Sequence, residues 1–192
     1  MQTRIRLALI YGSAREGRLC DRVAGWAAAE IARQGEIALD IIDPVALDLP
    51  AGNGHGDKRA VEVLSAKVEA ADAFLVVTPE YNHGYPAALK NLIDAVYEPW
   101  AGKPVAFVSY GGISGGLRAV EQLRQVFAEL HAVTVRDVVS FANAWERFDG
   151  RGGLCEPEGA RQALALVLAR LHWWANALRR ARSDQPYGEI AA

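Results

Sequence analysis

Five short apolar runs alternate with longer segments of helical period, and this alternation limits the possible folds more than any other feature of the chain. The apolar runs cover Arg4–Tyr11, Ile37–Ile42, Ala73–Thr78, Val105–Tyr110 and Val133–Phe141. The helical segments cover Leu19–Gln34, Lys58–Ala70, Pro86–Tyr97, Gly116–His131 and Pro157–Arg182. Such alternation is typical of βαβ units, in which helices cover both faces of a parallel sheet. We therefore predict an α/β fold with five parallel strands.

Five strands fit the flavodoxin-like strand order 2-1-3-4-5 more simply than the other common doubly wound order. In this order the chain reverses direction between strands 1 and 3, so the loops after those strands diverge and leave a crevice. The length of 192 residues fits one domain, predicted to span residues 1–192. Pro86 is predicted in the first turn of its helix, where its missing N–H costs nothing. Asp43–Asp57 and Phe141–Glu156 are predicted to be loops.

Charge and cysteine content exclude several function classes. The formal net charge is −2, so the chain carries no electrostatic footprint for nucleic acid or an anionic membrane. The beginning of the sequence has neither a signal-peptide core nor an apolar stretch of spanning length, which predicts a cytoplasmic protein. Cys20 and Cys155 have no CxxC spacing and the histidines no ligand spacing, so we predict free thiols and no metal. A small-molecule partner is favoured.

The loop after strand 1 has the residues of a phosphate pocket. It runs over Gly12–Arg18 and directly precedes a helix, whose first amide groups and dipole attract anions. Gly12 permits a tight turn, Ser13 offers a hydroxyl, and Arg15 and Arg18 offer planar donor pairs for phosphate oxygens. The alternative is a solvated turn with surface arginines. The loop is neither a P-loop nor a Gly-x-Gly-x-x-Gly turn, which favours the terminal phosphate of FMN over a pyrophosphate.

The loop after strand 3 is suited to a planar ring. Two prolines and a glycine stiffen Thr78–Pro86, which also carries aromatic and amide side chains. Backbone groups of Glu80–Gly84 can meet the polar edge of an isoalloxazine, with Tyr81 packed near the ring. Hydride transfer through a flavin needs no general base, so Glu80 is assigned a ring-positioning role and no catalytic residue is predicted. The alternative is a turn whose aromatic residues pack on the domain.

The loop after strand 4, Ser109–Gly116, is rich in glycine and lets the backbone approach a ligand closely. Glycines at strand ends also serve packing, and the two interpretations weigh equally for this loop alone. The loops after strands 1 and 3 support each other more strongly, because both flank the predicted crevice.

At these loops the sequence resembles the NADPH-dependent FMN reductase family of flavodoxin-like proteins, especially its quinone- and azo-reducing branch. The resemblance rests on Gly-Ser-x-Arg at Gly12–Arg15 and Pro-Glu-Tyr-Asn at Pro79–Asn82, and extends to Pro86–Asp94, Ala101–Val105 and Gly115–Ala119. It implies an FMN-dependent oxidoreductase that passes electrons from NADPH or NADH to small-molecule acceptors such as quinones, flavins or azo compounds. From Phe141 onward the match is only general.

The resemblance also implies roles for individual residues. Ser13, Arg15 and Arg18 hold the FMN phosphate, although many relatives carry serine where this chain has Arg18. The isoalloxazine is lined by Pro79, Glu80, Tyr81 and Asn82. Its other side is closed by Ser109, Tyr110, Gly111 and Gly112.

Three other functions share this topology or composition. A flavodoxin-like electron carrier holds FMN without using NAD(P)H, and is disfavoured by the arginines of the first loop. A receiver-type signalling domain requires clustered acids at strand ends to bind Mg²⁺, and here Glu80 stands alone. A non-catalytic interaction domain would take up no FMN.

Apolar helix faces and a surplus of aromatic residues predict a homodimer or a homotetramer. Apolar residues recur along two helical segments, namely Leu89, Leu92, Ile93 and Val96 in one and Leu164, Leu168, Leu171, Trp174 and Leu178 in the other, with Trp173 beside them. Most of this apolar surface is predicted to be core. The surplus comprises Trp173 and the loop residues Trp100, Trp145 and Phe148.

Overall fold

The five predicted strands form one parallel sheet in the predicted order. A computed structural model describes residues 4–35, 37–50, 57–150 and 152–190. The strands are β1 Ile5–Tyr11, β2 Ile37–Ile42, β3 Ala73–Pro79, β4 Pro104–Tyr110 and β5 Val133–Phe141. Their order is β2-β1-β3-β4-β5, which confirms the flavodoxin-like prediction. The chain therefore reverses direction between β1 and β3, and this topology places the expected crevice at their carboxyl ends.

Helices cover both faces of this sheet. They are α1 Cys20–Gln34, α2 Lys58–Ala70, α3 Ala87–Asp94, α4 Leu117–Glu129, α5 Ala144–Arg147 and α6 Pro157–Asp184. One apolar core lies between the sheet and helices α1 and α6. The other lies between the sheet and helices α2, α3 and α4. Every residue of β3 and β4 is buried, which explains why these strands are continuous apolar runs without alternation.

Helix α3 is shorter than predicted at both ends. Pro86 has an extended backbone (φ −67°, ψ 146°) and precedes the helix instead of lying in its first turn. The helix ends at Asp94, and a 3₁₀ turn over Glu98–Trp100 follows. The indole Nε1 of Trp100 donates to the carbonyl of Val96 over 2.9 Å, so a local side-chain donor satisfies a group that a longer helix would have used.

The two predicted loops are partly ordered. Phe141–Glu156 contains the short helix α5 and an isolated bridge between Phe148 and Leu154. Asp43–Asp57 contains a 3₁₀ turn over Pro44–Ala46, and its residues 51–56 lie outside the described part of the chain. The order in the first of these loops comes from packing, since Ala144 and Phe148 are both buried.

Burial of the aromatic residues corrects the argument for an oligomer. Trp100 and Phe148 belong to the cores, with exposed fractions of 0% and 4%. Leu89, Leu92 and Ile93 are completely buried as well. A tryptophan or phenylalanine in a loop is as apolar as one in a helix, and here it fills the protein's own interior. Of the predicted aromatic surplus, the residues that remain exposed are Trp145 (62%) and Trp173 (64%).

A buried lysine lies at the amino end of the sheet, opposite the crevice. Lys103 is 4% exposed, and its Nζ donates to the carbonyls of Val68 and Glu69 at the end of helix α2, both over 2.9 Å. The Val68 carbonyl also accepts from the Ala71 amide over 3.3 Å, and the amine adds a donor to both carbonyls at the end of the helix. Burial disfavours the charged amine and lowers the pKa of Lys103 to about 8.

We expect Lys103 to make stability depend on pH above neutrality. Between the folded pKa of about 8 and the unfolded value of 10.5, the unfolded chain binds more protons, so stability rises with pH. Relative to Lys103→Met, the wild-type protein should gain about 3 kcal/mol of unfolding free energy between pH 7.5 and pH 10.5. Urea unfolding of both proteins at the two pH values measures this gain. A constant difference between the proteins would contradict the prediction.

Candidate functional site

The loop over Gly12–Arg18, called the phosphate loop after its predicted role, approaches the end of β3 closely. Only glycine fits at the start of this loop. The amide of Gly12 donates to the carbonyl of Val77 over 2.7 Å. A Cβ at Gly12 would lie 2.6 Å from that oxygen and 2.9 Å from the Cα of Thr78. Because all these atoms are backbone, none can move aside cheaply. This contact joins the loop after β1 to the loop after β3 at the crevice.

The two loops meet through a cluster of Ser13, Arg15 and Tyr81. The Ser13 hydroxyl is completely buried and lies 2.8 Å from the Tyr81 hydroxyl. The guanidinium of Arg15 stacks on the Tyr81 ring, with its central carbon 4.1 Å from the ring centroid. In the described part of the chain, no carboxylate pairs with Arg15. A hydroxyl and an exposed cation thus lie beside the start of helix α1, the donor set that a phosphate requires.

Arg18 is held by the protein's own carboxylates. Its guanidinium forms two hydrogen bonds with the Asp43 carboxylate, over 2.8 and 2.5 Å, and its Nε lies 2.7 Å from Asp21. It also donates to the backbone carbonyl of Ser13. Burial acts to raise the pKa of Asp43, but the hydrogen bonds from Arg18 and the Val45 amide outweigh it and lower that pKa. Arg18 therefore braces the phosphate loop against the end of β2.

The loop after β3 contains a tight, two-residue turn. The amide of Tyr81 donates to the carbonyl of Gly84 over 2.9 Å, and the amide of Gly84 donates back over 3.1 Å. Asn82 and His83 between them have positive φ values of 49° and 75°. Asparagine adopts this conformation readily and histidine less so, so the turn carries local strain at His83. The side chain of Gln122 donates to the His83 carbonyl over 2.9 Å and holds the turn against α4.

Glu80 joins the loops after β3 and β4. Its amide donates to the Tyr110 carbonyl over 3.0 Å. Its carboxylate accepts from the backbone amide of Arg118 over 3.1 Å and from the Arg118 guanidinium over 3.0 Å. Burial acts to raise the pKa of Glu80, but hydrogen bonds from Ser114 and Arg118 outweigh it and lower that pKa. The ionised Glu80 carboxylate thus caps helix α4, and both of its oxygens already accept hydrogen bonds from Arg118.

We expect Glu80→Ala to destabilise the protein by about 2 kcal/mol and to weaken flavin binding about tenfold. The substitution leaves the first turn of α4 without its acceptor and removes the side-chain link between the two loops, while the hydrogen bond from the Glu80 amide to the Tyr110 carbonyl remains. Arg118→Ala should cost under about 1 kcal/mol, because that side chain is half exposed and its ion pair is screened by water. Urea unfolding and flavin titration of both variants measure these losses.

The pH dependence of the same variants provides a further check. A lowered carboxyl pKa contributes stability above the unfolded value of 4.5, and this contribution disappears as the pH falls through the folded value. The difference in stability between wild-type protein and Glu80→Ala should therefore shrink as the pH falls below about 4.5. Equal losses in Glu80→Ala and Arg118→Ala at pH 7 would contradict the capping role.

Two serine hydroxyls hold the glycine-rich loop after β4. Ser109 and Ser140 both donate to the carbonyl of Gly115, over 2.8 and 3.0 Å. Gly115 and Gly116 have φ values of 60° and 85°, and a Cβ at Gly116 would lie 2.7 Å from the Tyr110 amide nitrogen. The loop therefore depends on glycine for both its conformation and its close packing.

Ser109 and Tyr110 direct their side chains into the protein. Ser109 is completely buried, and Tyr110 is 5% exposed in the core beneath helix α1. Burial, together with nearby Cys20, raises the pKa of Tyr110, so its hydroxyl stays neutral. Gly111 and Gly112 are half-buried, so they are the residues of this group that remain partly accessible to solvent.

The structure thus gathers the three predicted loops at one edge of the sheet, but gives their side chains different tasks. Sequence reasoning missed Asp43, Arg118 and Ser140, which hold Arg18, Glu80 and Gly115. The sequence offered one signal for Asp43. This residue directly follows β2, so it lies at the same edge of the sheet as the phosphate loop.

Comparison with known proteins decides the family. Residues 5–146 match the family described as NADPH-dependent FMN reductase, a range that includes all three loops of the site. The chain belongs to the NADPH-dependent FMN reductase family. The resemblance inferred from the loop motifs is therefore confirmed.

Relatives of known name fall within this family. The chain is 37% identical over 177 residues to a probable NADPH:quinone oxidoreductase of Oryza sativa subsp. japonica, covering 86% of each chain. It is 35% identical over 130 residues to an NAD(P)H-dependent FMN reductase of Schizosaccharomyces pombe, with 63% of this chain matched. The match spans 64% of the length of the S. pombe protein.

The fold has solved counterparts. A flavoenzyme NAD(P)H:(acceptor) oxidoreductase from Paracoccus denitrificans superposes with a TM-score of 0.64 at 24% identity. The superposition covers 90% of this chain and 98% of the other. At this identity the likeness concerns the fold alone.

The described residues contain neither a cluster of metal-ligating side chains nor a membrane-spanning helix. Among residues 4–35, 37–50, 57–150 and 152–190, histidine, cysteine and carboxylate side chains form no cluster of three that could hold a metal ion. Within those same ranges, every helix is too short or too polar to span a bilayer.

Proposed function

We propose that this protein is an FMN-dependent oxidoreductase that passes electrons from NADPH or NADH to small-molecule acceptors such as quinones, flavins or azo compounds. The observation that carries the proposal is the contact of Ser13 and Arg15 with Tyr81, which joins the two loops flanking the crevice. Membership of the NADPH-dependent FMN reductase family and relatives named quinone oxidoreductases support the same activity.

FMN suits the donor groups at the crevice. The buried Ser13 hydroxyl, the exposed Arg15 guanidinium and the first amides of α1 hold the phosphate. Arg18 acts through the loop backbone, since Asp43 and Asp21 occupy its guanidinium. The ring is lined by Pro79–Asn82 and by the backbone of Gly111 and Gly112, with Ser109 and Tyr110 supporting that backbone from inside.

When bound, FMN supplies the hydride-transfer chemistry, and the protein supplies binding and orientation. The residues of this chain would hold the flavin at its phosphate end through Ser13 and Arg15 and at its ring end through Pro79–Asn82. Glu80 moves no proton, because its carboxylate is ionised and capped onto Arg118. Its task is to keep the loops after β3 and β4 together.

An assay of NAD(P)H oxidation by FMN-loaded protein, with a quinone or ferricyanide as acceptor, tests the proposal. We expect turnover with ping-pong kinetics, because donor and acceptor use the same site in sequence. FMN-loaded protein without turnover would overturn the reductase. Accumulation of the semiquinone on photoreduction would then identify an electron carrier, and a colourless protein that takes up no FMN would identify an interaction domain.

We further propose that the chain forms a homodimer or a homotetramer. Support comes from a groove of about 540 Å³ between helices α3 and α4, lined in part by Val96, Val126 and Leu130. Tyr97 borders this groove and is 53% exposed, which is high for an aromatic residue. Light scattering at micromolar concentration measures the mass, and a monomer would contradict the proposal.

A further inference from the structure

Trp145 is an exposed aromatic residue at the carboxyl edge of the sheet. It lies on helix α5, which follows β5, and is 62% exposed. A tryptophan exposes a large apolar surface to water at this level, and such surfaces frequently mark binding sites. The loops after β3 and β4 end at the same edge, and β5 lies next to β4, so α5 adjoins the loop after β4.

The short helix that carries Trp145 is fixed to the glycine-rich loop. The amide of Asn143 donates to the Gly112 carbonyl over 3.0 Å, and the amide of Ala144 donates to the Gly111 carbonyl over 3.1 Å. Ala144 is completely buried, and Phe148 packs edge-on against Phe141 in the core. Anchored on both sides, α5 sets the position of the indole relative to Gly111 and Gly112.

The indole also lies beside the loop. Its Cη2 lies 3.7 Å from the position that a Cβ on Gly112 would occupy, which is ordinary van der Waals distance. Ile113, the next residue, is 88% exposed. Gly112, which is assigned to the ring end of the site, is therefore flanked by the exposed aromatic side chain of Trp145 and the exposed aliphatic side chain of Ile113.

We infer that Trp145 forms the apolar wall of an acceptor subsite and selects planar aromatic acceptors, such as quinones, by stacking. The inference rests on the proposed function. An indole face attracts a flat, uncharged ring and has no comparable attraction for a multiply charged anion such as ferricyanide. In the reaction NAD(P)H gives up a hydride, and the quinone gains two electrons and two protons, the second proton from solvent. Trp145 binds the acceptor and takes no part in that transfer.

Steady-state kinetics of Trp145→Ala with two acceptors test this inference. With a naphthoquinone, the KM should rise about tenfold, the change expected from loss of one aromatic stacking contact. With ferricyanide, kcat and KM should both stay at wild-type values. Trp145→Phe retains an aromatic face and should restore most of the quinone affinity. Flavin titration of each variant should give the wild-type affinity, because the wall contacts the acceptor and not the flavin.

Trp173→Ala is the matched control. Trp173 is exposed to the same degree, but α6 carries it toward the amino end of the sheet, where Arg179 and Arg182 contact Asp72. Both kinetic constants should remain unchanged in this variant for either acceptor.

The remaining possible results of these experiments contradict either the acceptor subsite or the proposed function. An unchanged quinone KM in Trp145→Ala, or an equal rise with ferricyanide, would overturn the subsite. Loss of FMN from Trp145→Ala would overturn the acceptor subsite and show that the indole contacts the flavin. A reduced mass of this variant in light scattering would also overturn the subsite, and would show that a second copy of the chain covers the indole. Absence of turnover in FMN-loaded wild-type protein with either acceptor would instead refute the proposed function itself.

Discussion

Replacing Arg15 with alanine should leave a folded protein whose affinity for FMN is about 100-fold lower. The Arg15 side chain is exposed and stacks on Tyr81, so its removal opens no cavity in the core. A charge-assisted hydrogen bond to a phosphate contributes about 1.5 to 3 kcal/mol, and 100-fold corresponds to about 2.7 kcal/mol. Fluorescence titration with FMN measures the affinity, and thermal unfolding of the flavin-free protein verifies the fold.

Riboflavin and a second arginine serve as controls. Riboflavin lacks the phosphate, so Arg15→Ala should bind it as tightly as the wild-type protein does, and the preference for FMN over riboflavin should shrink. Arg33→Ala, in the last turn of α1 and 68% exposed, should leave FMN affinity unchanged. Wild-type FMN affinity in Arg15→Ala would show that another group anchors the phosphate.

Replacing Gly12 with alanine should cost about 3 kcal/mol of unfolding free energy and abolish stable flavin binding. The new Cβ would lie 2.6 Å from the Val77 carbonyl oxygen, so the phosphate loop must move away from β3. That movement lengthens the hydrogen bond from the Gly12 amide to Val77, now 2.7 Å. It also displaces Ser13 from the Tyr81 hydroxyl. Urea unfolding and FMN titration measure the two effects.

Gly25→Ala is the matched control, since Gly25 lies on an exposed face of helix α1 with nothing within 4 Å of a Cβ. There alanine should stabilise the protein by about 0.5 to 1 kcal/mol, because it restricts the unfolded chain and suits the helix. Similar stability losses in Gly12→Ala and Gly25→Ala would refute the close approach of the loop to β3.

The sequence alone was sufficient for the sheet and for the edge at which the loops of the candidate site end. Apolar runs of six to nine residues between helical segments are a local pattern, and they predicted all five strands. Strand order followed from the number of parallel strands, and the crevice followed from strand order. The motifs at Gly12–Arg15 and Pro79–Asn82 then identified the family, because their residues lie next to each other in the chain.

Only the tertiary structure decided what each side chain of the site contacts. The Arg18 guanidinium binds the carboxylate of Asp43, which is 25 positions away, and does not point into an open pocket. The Ser13 hydroxyl forms a hydrogen bond with Tyr81, which is 68 positions away. Ser109 and Tyr110 turn inward, and Trp100 is buried while Trp145 is exposed. A local pattern gives the period and the backbone preferences of a segment. The direction of a side chain and the partner of a charge depend on which distant segments the fold brings beside it.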